Sequence, residues 1–129
     1  MRTPRESGRG SAAVEFALVL PLVLVVILGL VQVGVFARDR VLVEAAARAG
    51  ARAAALADDP AAVTTAALSA APGLDPAALS VTTARDGSRG DPVTVSVTYV
   101  DQVRVPLVGW LVGGEVSMTA DATLRQEFG

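Results

Sequence analysis

From Phe16 to Ala37 the chain runs for 22 residues without a charged side chain, and Gln32 is its one strongly polar interruption. At 1.5 Å rise per residue that run makes a helix of roughly 33 Å, enough to cross a bilayer core of roughly 30 Å. Glu15 closes it on one side and Arg38 on the other. Pro21 lacks an N–H and crowds the carbonyl of Ala17, which predicts a loosened turn between the two. The pattern changes after Ala37 without stopping. Arg38 to Ala57 is dominated by Ala, the best helix former, and Arg40, Glu44, Arg48 and Arg52 recur every four residues as one charged stripe. A single helix from about Ala12 to Ala57, roughly 70 Å long, follows: its first half is suited to lipid and its second to water.

Asp58-Asp59-Pro60 stops that helix and starts a short one to about Ala71, with Asp59 as N-cap and Pro60 at the first helical position. Pro72-Gly73 ends it, and Asp75-Pro76 opens a further turn. From Leu79 the period becomes two. Leu79, Val81 and Thr83 alternate with polar residues, as do Val93, Val95, Val97 and Tyr99, a strand that can continue to Val103 and Val105. The polar loop between these strands carries Asp86-Gly87, suited to positive φ. A third strand, Glu115 to Arg125, turns Val116, Met118, Ala120, Ala122 and Leu124 to one face.

The fold class is therefore α+β: one N-terminal transmembrane helix extended beyond the membrane, a short second helix, and a small three-stranded antiparallel sheet packed on the long one. Three parts are expected: a basic leader at 1–10, a transmembrane segment at 11–37, and a small domain at 38–129. The leader is rich in Gly and Pro and does not form a helix alone. Pro106 to Gly114 is unusual for a connection, because it holds the only Trp and several aliphatics. Either Trp110 packs on the sheet, or Leu107, Trp110 and Leu111 contact a partner or the membrane surface.

Composition removes whole classes of function. The chain has no Cys and no His, and all eleven basic residues are Arg. Thiol chemistry, zinc sites built on Cys or His, a His general base and a Ser-Lys pair are all excluded. No metal or cofactor is expected, no catalytic residue is assigned, and the protein is read as non-enzymatic. Residues 38 to 129 carry eight Arg against eleven Asp and Glu, a mildly acidic balance that argues against nucleic acid as a partner. No small-molecule substrate is indicated. Arginines flank the apolar run on both sides, so charge alone leaves the orientation tied. Val35 and Ala37 would also fit a signal peptidase site before Arg38, so a secreted or signal-anchored extracytoplasmic binding domain is an alternative reading.

The stretch Gly10-Ser11-Ala12-Ala13-Val14-Glu15-Phe16-Ala17-Leu18-Val19-Leu20-Pro21 resembles the opening of TadE-like proteins, the pseudopilins of tight-adherence (Flp-type) pilus systems. The likeness is strongest over about residues 8 to 40. It returns more loosely in the ending, where a small-residue strand closes on Arg125-Gln126-Glu127. The resemblance implies a pilin-like helix and a place in pilus or secretion assembly. It also implies partners among other pilins, pseudopilins, assembly proteins and membrane lipid. It puts the protein in the cytoplasmic membrane, N-terminus cytoplasmic and domain outside. A prepilin peptidase would cut between Gly10 and Ser11, although Ser11 is smaller and more polar than the residue usual after such a cut. Glu15, with Phe16 beside it, would then be an assembly contact, its carboxylate pairing with the freed amine of a neighbouring subunit. Residue chemistry also allows Glu15 simply to mark the end of the span at the headgroups.

Overall fold

The computed structural model describes residues 7–102, 110 and 113–128. Helix α1 spans Ser7–Leu56 and carries Pro21 within it. It begins earlier than its sequence suggests, because Ser7 to Gly10 are helical. The physical reason is that a turn added to an existing helix needs no nucleation, so poor helix formers are carried along. Helix α2 is Pro60–Ser69, and the Asp59 side chain accepts a 3.0 Å hydrogen bond from the Ala61 amide, as an N-cap should. A single 3-10 turn, Pro76–Ala78, is capped in the same way by Asp75.

Three antiparallel strands follow, β1 (Leu79–Arg85), β2 (Pro92–Gln102) and β3 (Glu115–Arg125), with β2 in the middle. The register sets Val97 of β2 opposite Val81 of β1 and Ala120 of β3. In the β1–β2 loop, Gly87 and Gly90 take φ of +85° and +91°, the left-handed conformation that Asp-Gly anticipates. Asp91 steadies that loop by accepting from the Ser88 amide at 2.8 Å. The extension of β2 to Val103 and Val105 lies outside the described residues.

The core lies between the second half of α1 and the sheet. Val43, Ala46, Ala47, Ala51 and Ala54 of α1 are buried against Val93, Val95, Val97 and Tyr99 of β2 and Met118 and Ala120 of β3. Val63 and Ala67 of α2 complete it. Small residues on α1 are what allow this closeness. A Cβ at Gly50 would meet a Val95 methyl at 3.0 Å, and Val63 and Ala67 at 3.6 Å. The alternation expected of β2 is complete, whereas that of β1 is not: Thr83 faces inward by parity yet is exposed. Helix α1 lies over β2 and β3, and α2 barely reaches β1, so the far half of this edge strand has no cover. Leu124 is exposed for a similar reason, at the far end of the other edge strand.

Chain direction fixes which end of the domain meets the apolar half of α1. Arg85, opposite Val93 at the start of β2, reaches the Ala54 carbonyl near the end of α1. At the finish of β2, Tyr99, Asp101 and Gln102 share a cavity with Gln32 and Val35. Strand β2 therefore runs back down α1, and its connection to β3 leaves the sheet at the end facing the apolar run.

Candidate functional site

The apolar first half of α1 is largely bare. Every large apolar residue from Val14 to Leu28, and again Leu30, Val31, Val33 and Val35, is exposed. The most apolar stretch of the helix has a mean hydropathy of 2.9, and none of it is buried inside the protein. Soluble monomers rarely bare a continuous apolar patch beyond a few hundred Å², so a surface of this length is built to be covered by lipid or by other helices. One long apolar helix near the N-terminus suggests a single-pass membrane anchor.

The residues singled out at its start all lie on α1. Gly10 and Ser11 sit within helical backbone, with open space around Gly10. A protease that binds extended chain must therefore unwind the first turns to reach the bond between them. The Ser11 hydroxyl donates to a Glu15 carboxylate oxygen at 3.4 Å, one turn further on. Glu15 and Phe16 are both exposed, and as consecutive helical residues they point in different directions. Trp110 is 83% exposed, which overturns its packing on the sheet and leaves the contact reading. Leu107 and Leu111 lie outside the described residues. Glu15 is about 35 Å along the helix from Arg38, where the domain begins.

A second cluster, at the junction of helix and domain, was not legible as a site. Gln32, Asp39 and Asp101 are only 6%, 5% and 7% exposed. Gln32 and Asp39 are seven residues apart, two helical turns, and so continue down the same face that carries Val43 and Ala46 into the core. Asp101 continues the inward parity of Val93, Val95, Val97 and Tyr99. Two signals in the sequence could have found them: an acid in the inward slot of a strand, and an amide in an apolar span. Arg38 Nη1 pairs with Asp39 at 3.0 Å, and Nη2 reaches the Pro72 carbonyl at 3.4 Å. Gly73 makes room for that reach, since a Cβ there would sit 2.7 Å from Arg38 Nη2. Among the described residues no group of three or more His, Cys, Asp or Glu is placed to hold a metal ion.

Higher on α1, Glu44 bridges Arg40 at 3.1 Å and Arg48 at 3.8 Å, and Arg40 also donates to the Thr119 carbonyl of β3 at 2.8 Å. The charged stripe thus borders the sheet as well as facing water. Residues 10–52 of the chain match the family model described as TadE-like protein. The N-terminal helix is TadE-like. The match begins at Gly10, covers the whole bare apolar surface, and ends in the half of α1 that packs on the sheet. The match covers a third of the chain and describes the long helix. No curated protein and no solved structure gives a match.

Proposed function

We propose that this protein is a non-enzymatic TadE-like pseudopilin or assembly component of a tight-adherence (Flp-type) pilus or secretion system, held in the cytoplasmic membrane by α1. The N-terminus lies in the cytoplasm and the domain outside. The observation that carries the reading is the bare helical surface from Val14 to Val35, within the segment matched by the TadE-like family. Such a surface can exchange lipid for the equivalent helices of other pilins or pseudopilins without unfolding the domain, whose core uses only the other half of α1. Glu15 is the assembly contact, a carboxylate at the membrane edge that favours a nearby cation. A prepilin peptidase supplies that cation when it cuts before Ser11. Strand β2 ends on the side facing the apolar run, and the exposed Trp110 that follows it, with Leu107 and Leu111 near it in sequence, is the contact for a partner or the membrane surface, where Trp is favoured.

The test is Glu15→Ala in cells that assemble the pilus, with membrane fractionation alongside. Pili are lost while the protein still inserts; normal piliation would refute the role of Glu15. Mass spectrometry of the mature N-terminus checks the cut: Ser11 supports it, Met1 or Arg2 denotes an uncut anchor, and Arg38 a secreted protein.

A further inference from the structure

At the junction of helix and domain a cavity of about 270 Å³ opens between the last turns of the apolar run and the end of β2. Its lining includes Gln32, Val35, Arg38, Gly73, Tyr99 and Asp101. That is far more than a single bridging water or a bare ion needs. Two of its polar groups have no partner: among the described residues, neither the Asp101 carboxylate nor the Gln32 amide makes a hydrogen bond, although each is more than nine-tenths buried. Among the described residues only Gln126 Nε2 is a fully sealed side-chain atom without a partner, so the Asp101 and Gln32 groups stand open to the cavity and are available to an occupant.

Charge and position specify it. Asp101 and the Gln32 carbonyl oxygen offer acceptors to a group rich in donors. Arg38, 57% exposed at its side chain, uses one N–H on Asp39 and one on the Pro72 carbonyl, which leaves three of its five donors for an anion. A cation beside the carboxylates disfavours a second metal-like charge but suits a zwitterion. Arg38 is also the first charge after the apolar run, which places it at headgroup depth. Val35 lines the cavity on the side continuous with the bare apolar surface, where an acyl chain would lie. We propose that this cavity binds the headgroup of an amine-bearing phospholipid, its ammonium on Asp101 and Gln32 and its phosphate on Arg38.

The full chain in detergent, examined by native mass spectrometry during titration with phosphatidylethanolamine, phosphatidylcholine or phosphatidylglycerol, tests this directly. Phosphatidylethanolamine is retained in preference to the other two. Asp101→Asn lowers its retention about tenfold, the scale of one charge-assisted hydrogen bond. Gln32→Met also lowers it, and Asp121→Asn, an exposed acid on β3, leaves it unchanged. Near-UV circular dichroism confirms that each variant is folded. Equal retention of the three lipids overturns the proposal, as does parental binding by both cavity variants. Binding of soluble phosphoethanolamine without the lipid would assign the cavity to a free solute and overturn it equally.

Discussion

Arg85 is the single side chain on which the far end of the domain depends. Only 19% exposed, it sends Nη1 to the Ala54 carbonyl at 2.8 Å and Nη2 to the Ala57 carbonyl at 3.0 Å, so it caps the C-terminal end of α1. Nη1 is also 3.4 Å from Gln126 Oε1, and the guanidinium lies 5.2 Å from the centre of the Phe128 ring. Next to it the C-terminal tail is fixed by Glu127 N–H on the Ala55 carbonyl at 2.8 Å and Gln126 N–H on the Asp91 carbonyl at 3.0 Å. One residue thus joins the helix end, the sheet and the tail. A positive group at the C-terminus of a helix is also favoured by the helix dipole.

Arg85→Ala should cost about 3 kcal/mol. The half-buried bond to Ala54 supplies most of that, at about 2 kcal/mol for a hydrogen bond to a charged group. The more exposed bond to Ala57 and the Phe128 contact contribute about 0.5 kcal/mol each. The ion pair with Asp58 at 3.1 Å adds little, because Asp58 is 70% exposed. For a domain of this size the loss corresponds to a fall of about 15 °C in Tm. Near-UV circular dichroism of the full chain in detergent is the assay, since Tyr99, the only Tyr, is buried in the domain core and insensitive to the span. Arg85→Lys keeps the charge but not the fork that spans two carbonyls, and recovers about 1 kcal/mol. Asp58→Ala costs under about 1 kcal/mol. Arg85→Ala within 1 kcal/mol of the parent, or Asp58→Ala equal to it, would refute the reasoning.

Two further outcomes can be checked on the same preparation. Gly50→Leu forces a branched side chain into a gap where even a Cβ meets Val95 at 3.0 Å, and should destabilise the domain by about 1–3 kcal/mol in the same melt; an unchanged Tm would show that α1 does not approach the sheet so closely. Trp110 is the only Trp, so its fluorescence reports one position; it should be quenched by lipids brominated near the headgroup in vesicles and not by soluble quenchers, and the reverse would place the loop in water.

Much of this architecture was readable because each part obeys a local rule. The Asp59-Pro60 start, the Asp75-Pro76 turn, the Asp-Gly loop and the period-two strands each state their structure within a few residues. The start of α1 was misjudged because Ser7 to Gly10 become helical through their neighbours rather than their own propensity. Thr83 and Leu124 were assigned to the core by parity. Parity says which face a residue takes, but not how far the covering helix reaches along that face. Arg85 was passed over because a cap supplied from 28 residues away leaves no local trace. The site at Gly10 to Phe16 was visible only as a resemblance. The junction cavity was hidden for the opposite reason: Gln32 and Asp101 each break a local pattern, but only the fold puts them with Asp39 on one seam.

That seam shows how one helix serves two solvents. Above Val43 its inward face is small and apolar and meets Val95 and Val97, so the domain can hold together in water. Below Phe36 the same helix is apolar and bare on its outer surface, and Gln32 and Val35 line the cavity shared with the end of β2. Between the two stands a turn where the inward residue is an acid and the partner strand also presents an acid. An apolar junction there would pack more tightly and fuse domain and span into one core. The polar turn instead keeps the domain's core closed at Val43 and Tyr99, and leaves the lipid-facing half of α1 free to change its neighbours. Under the pilin-like role proposed above, a helix leaving lipid for a bundle of other helices while its domain stays folded needs that separation, which the placement of Asp39 and Asp101 supplies.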